Sequence, residues 1–419
     1  MVKKLTEKKS GKFLLILLGF VFLFILIRVV GLTESFGFGS DEGRDFLTTW
    51  NIYKNSEITL IGPPSEFTVS GREFYFGPAS YYVILLPLII SQGDPVFVSY
   101  FLVILNALAF LFALFVISKY LKDKFILYSF AIILTFTPPL IQITRSYWNP
   151  NFMLPTSLIL LGLLLIARYR KSNHPLLIGM IGFILGLGLQ FHYSFIFAIA
   201  ITFGWLIYKR QMKLLQFAAI LAGGILGFLP IILFELRNNF YNIRTFLLVL
   251  TQPGDFHSDF HLSSFYLISI IPFVTLLSCY ALHRTMGVNK RIVYLLLTLF
   301  IGFSLFQIAT TPQYIFNYPT LKKVAEIINK DNPTQFNIVD QLTRDNRAMA
   351  LRYMMTIRDK APLGVMDYPH SKTLYVYTQE PIKDLLKAPV WEISSAMPLQ
   401  VTDYWRVTDK ITLYKLVKY

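Results

Sequence analysis

The chain has a single cysteine in 419 residues, Cys279, so it can build neither a disulfide framework nor a thiolate metal cluster. Charge is also scarce: 15% of residues are Asp, Glu, Lys or Arg, against about 25% in soluble globular proteins. Hydrophobic residues make up 54% of the chain and aromatics 16%, a balance that excludes both a soluble enzyme and a disordered chain. P-loop, dinucleotide fingerprint, zinc-protease helix and serine-nucleophile elbow are all missing, as are internal repeats and low-complexity tracts. Within the apolar runs ionisable residues are almost absent, which removes the usual machinery of a proton-coupled transporter. Arg28 is the exception; one turn before the outer end of its run, it is expected to snorkel.

What the sequence does have is apolar runs of membrane-spanning length. They fall at about 13 to 32, 96 to 118, 125 to 141, 152 to 167, 175 to 190, 193 to 208, 214 to 234, 263 to 282 and 292 to 309. A tenth run, 78 to 91, contains Pro87 and stops at Ser91-Gln92-Gly93-Asp94-Pro95, which suits an in-plane juxtamembrane helix. Basic residues decide between the alternatives. With nine spans, the five segments on one side are all basic: Lys3, Lys4, Lys8, Lys9 and Lys12; Lys119, Lys122 and Lys124; Arg168, Arg170 and Lys171; Lys209, Arg210 and Lys213; Arg284, Lys290 and Arg291. By the positive-inside rule the N-terminus is cytoplasmic and the C-terminal tail extracytoplasmic. Counting 78 to 91 as a span would destroy that agreement. Of the formal charge of +15, the +11 carried by residues 1–312 is thereby explained by topology and the remaining +4 belongs to the C-terminal tail, so no nucleic-acid partner is expected. The first run lacks a small-residue cleavage site and reads as an uncleaved anchor.

The expected fold is therefore an α-helical polytopic membrane protein, with about nine transmembrane helices, an in-plane juxtamembrane helix and a small C-terminal α+β extracytoplasmic domain. Its boundaries are 1–312 for the membrane domain, including a first external loop at 33–77, and 313–419 for the soluble domain. In the latter the pattern predicts helices at 319 to 330 and 345 to 358, strands at Phe336–Gln341 and Thr373–Tyr377, and a closing hairpin Tyr404–Val417 turning at Thr408-Asp409.

With so few ionisable groups at membrane depth, chemistry belongs in the external loops. The first holds seven acids and opens Gly39-Ser40-Asp41-Glu42-Gly43-Arg44-Asp45. An acid just above the membrane is placed to take a proton from a substrate hydroxyl. The plainer reading is a solvated loop in which an Asp or Ser caps a short helix at 43 to 55. Two stiff turns, Leu60-Ile61-Gly62-Pro63-Pro64 and Tyr75-Phe76-Gly77-Pro78, fix the loop's path. The second external loop, Thr144-Arg145-Ser146-Tyr147-Trp148-Asn149-Pro150-Asn151, gathers hydrogen-bonding groups. Arg145 presents the paired donors that suit a phosphate, whereas Tyr147 and Trp148 read as belt aromatics. Glu235 and Arg237 stand at one outer level, where a local ion pair is the plain alternative to a site; His192 lies at an outer turn. Asp255-Phe256-His257-Ser258-Asp259-Phe260-His261 alternates acids and imidazoles and is the candidate for a divalent metal.

Taken together, the Asp41-Glu42 pair after the first span, the Gly-Pro punctuated first loop, the 78 to 91 helix, the aromatic-Asn-Pro-Asn loop and Phe234-Glu235-Leu236-Arg237-Asn238 carry a family likeness. Over about 13 to 312 the chain resembles the multispanning (GT-C type) lipid-phosphosugar-dependent glycosyltransferases, bacterial relatives of protein O-mannosyltransferases and of the lipid A aminoarabinose transferase. That resemblance implies transfer of a sugar from a polyprenyl phosphate or diphosphate, with inversion, to a glycan, lipid or protein acceptor on the outer face of the bacterial inner membrane. Asp41 is then the general base, and Glu42 positions the acceptor or the loop. Departing phosphate needs cations, for which Arg145 and Arg237 are the candidates and Arg72 the third; Tyr75, Asn149, Asn151, His192 and Glu235 are candidates for substrate contact. Several relatives carry a second acid where this chain has Asn149 and Asn151, so the likeness favours a metal-independent mechanism with no cofactor. Two other classes compete: a lipid-linked glycan flippase or transporter, which should carry more intramembrane polar residues than Asn106, Gln190 and Gln216, and a non-catalytic membrane scaffold.

Overall fold

A computed structural model describes residues 2–170, 174–208, 213–251, 256–257, 264–310, 317–342, 346–381 and 390–419. In chain order the elements begin with α1 (Val2–Val29), α2 (Leu32–Ser35), α3 (Ser40–Asn55), β1 (Pro64–Val69) and β2 (Arg72–Tyr75). Next come α4 (Ala79–Ile90), α5 (Pro95–Tyr120), α6 (Lys124–Phe136), α7 (Pro138–Arg145) and α8 (Met153–Arg170). They continue with α9 (Pro175–Phe191), α10 (Ile196–Tyr208), α11 (Leu214–Gly227), α12 (Leu229–Arg237), α13 (Tyr241–Thr251), β3 (Phe256–His257), α14 (Ile271–Val288) and α15 (Lys290–Thr310). The last are α16 (Tyr318–Asp331), β4 (Phe336–Asp340), α17 (Met349–Thr356), β5 (Thr373–Thr378), α18 (Trp391–Ser394), β6 (Leu399–Arg406) and β7 (Thr412–Lys418). Lys171, Lys209 and Arg210 of the basic connections lie outside the described residues, as does the metal-candidate string apart from Phe256 and His257.

The chain divides into two compact units, one of residues 1–30, 58–83 and 99–311, the other of 31–57, 84–98 and 312–419. The first is helical. Among the described residues four helices are long and apolar enough to cross a membrane: Pro95–Tyr120, Asn149–Arg170, Phe265–Val288 and Lys290–Thr310. The number rises to six if each of two bent pairs counts as one span, α6 with α7 at 68° and α11 with α12 at 69°. Each bend has a cause in the sequence. Pro138-Pro139 and Pro230 cannot donate the backbone hydrogen bonds that a continuous helix needs. Apolar composition alone runs straight through both breaks, which is why each pair reads as one run in the sequence.

The first break is completed by Arg28, and here the expectation of snorkelling is corrected. Its side chain is fully buried. In an unbroken helix the carbonyls of Leu134 and Thr135 would accept from residues 138 and 139, both prolines. Arg28 supplies the missing donors, with Nη2 on Leu134 O at 3.1 Å and Nη1 on Thr135 O at 3.3 Å. Nη1 also reaches Phe24 O at 3.0 Å, and the guanidinium lies 3.4 Å from the Phe24 ring centroid. A buried cation is held here by carbonyl dipoles and a ring face.

At the second break Gln190 plays a similar part, its Nε2 donating to Gly227 O at 2.5 Å. The backbones of α9 and α11 meet without side chains between them, because glycines line the seam: a Cβ on Gly182 would stand 2.1 Å from Ile220 O, and one on Gly223 2.0 Å from Gly179 O. Beyond this seam β1 and β2 form a hairpin that β3 extends into a three-stranded antiparallel sheet, in the order β2-β1-β3. The sequence reading gave this loop only turns.

The second unit contains a four-stranded sheet in the order β4-β5-β7-β6, with β4 and β5 parallel and the other neighbours antiparallel. Val339, Leu374, Val376 and Leu416 build its core against Tyr368 and Ile393. The predicted helices, strands and closing hairpin of 319–417 are present within a few residues of their expected ends; residue 345 itself lies outside the described residues. Within this unit α3 packs on α17 so closely that a Cβ on Gly43 would stand 2.3 Å from Ala350 N. Phe38 and Phe46 set their edges against Tyr353, whose hydroxyl donates to Gly93 O at 2.5 Å.

Candidate functional site

The acidic string of the first loop is the first turn of α3. The expected cap, an Asp or Ser ahead of a helix at 43 to 55, is corrected: the helix starts at Ser40, Gly39 stands at the N-cap, and Glu42 reaches back to accept Gly39 N–H at 3.2 Å. Burial pushes the Glu42 carboxyl up to about 7; hydrogen bonds from its own backbone and Gly39 oppose this, and the charges of Asp41 and Asp45 add to it. Although the residue keeps some accessible surface, its carboxyl group is enclosed, so burial of that group governs the titration.

Asp41 stays accessible, its side chain 46% exposed, and is held by Arg44 Nη1 at 2.9 Å. The same guanidinium holds the fully buried Asp45 through Nε, also at 2.9 Å. One arginine thus fixes two carboxylates, leaving the first with an open face. The helix N-terminus favours negative charge at this place. Arg44 was not among the sequence candidates, yet its i,i+3 spacing from Asp41 on a helix was there to be read.

The other candidates lie in the helical unit. Arg145 is the last residue of α7, half-buried, with Nε donating to Gln142 Oε1 at 3.1 Å. Asn149 donates to Phe191 O at 2.8 Å, while Asn151 donates to Ser146 O at 3.0 Å and Ser146 Oγ at 3.1 Å, so both amides brace the loop after Arg145. Tyr147 is fully buried against Phe152 and so is not a belt aromatic; Trp148 stands edge-on to Phe265. His192 is enclosed by Phe76, Phe265 and Tyr266. Burial pushes its imidazole down to about 4. Ser194 N–H donates to Nδ1 at 3.1 Å, which fixes the proton of the neutral ring on Nε2.

Glu235 does not pair with Arg237. It is buried and accepts the backbone N–H groups of Asn242 at 3.0 Å and Ile243 at 3.3 Å, capping the start of α13. Arg237 is exposed, and among the described residues it has no hydrogen-bond or ion-pair partner. Asn242 clasps the backbone of Tyr75, accepting its N–H at 3.0 Å and donating to its carbonyl at 3.4 Å, and Tyr193 donates to the same carbonyl at 2.5 Å. Burial raises the Tyr75 phenol above its usual range, with Tyr241 and Glu73 adding to the rise. Arg72 rests over the Tyr241 ring at 4.3 Å. Asn242 and Tyr241 carry no local signature that a sequence could disclose; their roles come from where α13 is placed.

Of these groups Glu235, Asn242 and Tyr193 line an apolar groove of about 630 Å³ between β1, β2, α12 and α13. Phe67, Phe74, Ile231, Ile232, Phe246 and Val249 form its walls, with Glu235 and Asn242 among its few polar groups. Arg72, Tyr75 and Glu235 are thus brought together through α13. No group of three or more His, Cys, Asp or Glu side chains able to hold a metal is present among the described residues.

No protein-family model and no curated protein matches the chain. Solved structures do, and what they share with it is the fold over nearly the whole chain. Both are crystal structures of ArnT from Cupriavidus metallidurans. The one bound to undecaprenyl phosphate has a TM-score of 0.57 and 11% sequence identity, covering 97% of this chain and 98% of that one. The apo form has a TM-score of 0.56 with the same identity and coverage. The likeness to the lipid A aminoarabinose transferase, read from the external loops, the 78 to 91 helix and Phe234-Glu235-Leu236-Arg237-Asn238, is therefore met at the level of architecture.

Proposed function

We propose that this protein is an integral membrane glycosyltransferase that moves a sugar from a polyprenyl-phosphate or diphosphate donor to an acceptor hydroxyl on the extracytoplasmic side, with inversion. The observation that carries the reading is the full-length fold shared with ArnT, whose structure holds undecaprenyl phosphate. Topology follows the basic segments: nine spans in a bacterial inner membrane, N-terminus inside, C-terminal domain outside. In this reading the four long helices, the two bent pairs and the shorter apolar helices Leu14–Val29, Pro175–Phe191 and Tyr193–Ile207 are the nine spans, and α4, the remaining short apolar helix, is assigned in plane from the basic segments alone.

In this reading Asp41 takes the proton of the acceptor hydroxyl. The acceptor oxygen then bonds to the anomeric carbon from one face, and the bond from that carbon to the phosphate oxygen breaks on the other, its electron pair leaving with the phosphate. Arg44 orients Asp41, and Glu42 holds the first turn of α3. Arg145, Arg237 and Arg72 are the cations for the developing phosphate charge, and the exposed Arg237, without a partner among the described residues, suits that task best. The groove beside Glu235 takes the first isoprene units of the donor. No metal enters the scheme, and Tyr75, His192, Asn149 and Asn151 shape the walls of the site.

The experiment is sugar transfer by purified protein from a panel of polyprenyl-phosphate sugars into a membrane-extract acceptor. Donor consumption that depends on the acceptor supports the reading. Absence of transfer across the panel, by folded protein, favours a transporter or scaffold.

A further inference from the structure

A second cavity lies within the helical unit, apart from the candidate site. Its volume is about 380 Å³, and it opens among α5, α8, α10 and α14. Leu161, Leu165, Ile201, Phe273 and Leu276 give it an apolar floor. Its rim is different in kind: Arg168 and Tyr169 from α8, Trp205 from α10 and Tyr280 from α14. Tyr280 shares a side-chain hydrogen bond with Tyr169, and Tyr169 stacks on Tyr120 with ring centroids 5.9 Å apart. Arg170 in turn donates to the Tyr120 hydroxyl at 2.9 Å.

Arg168 is exposed, and among the described residues it has no ion-pair or hydrogen-bond partner; its guanidinium lies 5.8 Å from the Tyr169 ring centroid. The nearby acid, Asp123, faces His283 instead, at 3.5 Å. An exposed cation with no partner among the described residues, at the mouth of an apolar cavity, suits a ligand with two natures, a phosphate outside and hydrocarbon inside. Tyr and Trp at the rim mark the level of lipid headgroups. Basic pockets between membrane helices bind acidic lipid headgroups on this principle.

We propose that this cavity is a binding site for an anionic phospholipid of the surrounding bilayer, its phosphate on Arg168 and part of an acyl chain over Leu161, Leu165 and Phe273. The site is independent of sugar transfer and stands whether or not that reading holds. A soluble anion would leave the floor unfilled, and a zwitterionic lipid would set its own cation beside Arg168.

The test uses the full chain in detergent micelles. Phosphatidylglycerol, phosphatidylcholine and inorganic phosphate are titrated separately while thermal unfolding is followed. Phosphatidylglycerol should raise the unfolding temperature in a saturable way, and Arg168→Gln should weaken its binding about fivefold, the effect of one cationic contact to a lipid phosphate. Arg168→Lys should recover most of the loss. Phosphatidylglycerol brominated along its acyl chains should quench a component of tryptophan fluorescence that Trp205→Phe removes. This readout holds even if the Arg168 variants fold poorly. Equal stabilisation by phosphatidylcholine, equal stabilisation by inorganic phosphate, or quenching unchanged in Trp205→Phe would each overturn the proposal.

Discussion

Arg28 Nε donates to Thr144 Oγ1 at 2.6 Å, tying the C-terminal end of α1 to the last turn of α7, 116 residues along the chain. Arg145, the candidate phosphate ligand, is the next residue. The bent corner between α6 and α7 therefore rests on one buried guanidinium that serves carbonyls two prolines have left without donors.

Arg28→Met should destabilise the folded protein by roughly 2–4 kcal/mol, since it leaves several buried acceptors unpaired at ~1–3 kcal/mol each. Arg28→Lys should restore little, because one ammonium cannot span acceptors that a planar guanidinium reaches together. Thermal unfolding in detergent is the measurement, and a wild-type unfolding temperature in the Lys variant would show that charge alone suffices.

Glu42 gives a pH dependence with a definite sign. Folding raises its carboxyl from 4.5 to about 7, so the folded state favours the protonated form. That stabilisation is fully present below pH 4.5 and is lost as the pH rises through about 7. Glu42→Gln keeps an acceptor for Gly39 N–H and has no proton to lose. Its unfolding temperature relative to wild type should climb across that window; parallel curves would mean that the carboxyl titrates in its ordinary range.

The glycine seam of α9 and α11 admits no side chain. Gly182→Leu and Gly223→Val each push carbon into backbone at about 2 Å, and overpacking of this kind costs at least 1–3 kcal/mol. Both variants should lose folded, monodisperse protein on size-exclusion chromatography. Gly204→Ala, at a glycine with open space around it, should behave as wild type.

Arg237→Gln tests the cation assignment in the helical unit. The exposed arginine supports nothing in the described fold, so stability should be unchanged. Removing one charge-assisted contact to the donor phosphate should raise the donor KM by roughly 10- to 150-fold, the equivalent of the 1.5–3 kcal/mol such a contact contributes. An unchanged KM would move the phosphate to Arg145 and Arg72.

Much of this was legible in the sequence because it follows from periodicity and composition. The apolar runs are helices, and the C-terminal strands Phe336–Asp340 and Thr373–Thr378 fall where alternation places them. Other features depend on partners remote in the chain. That Arg28 is buried and does not snorkel is decided by Leu134 and Thr135, more than a hundred residues away. That Glu235 caps a helix and does not pair with Arg237 follows from α13, whose short amphipathic pattern lies among longer apolar runs. Within the acidic string a short helix was readable but not its start at Ser40, which puts Asp41 in the first turn, and packing of α3 on α17 joins residues about 300 apart and leaves no trace in local pattern.

The central claim is that Asp41 is the base of a sugar transfer, and the direct measurement is the transfer rate from a polyprenyl-phosphate sugar by wild type and by Asp41→Asn, each with and without chelator. Asp41→Asn should fold as wild type and lose about 10²–10⁴-fold in rate, the usual worth of a positioned general base, with chelator making no difference. Transfer at equal rates by the two proteins would contradict the account.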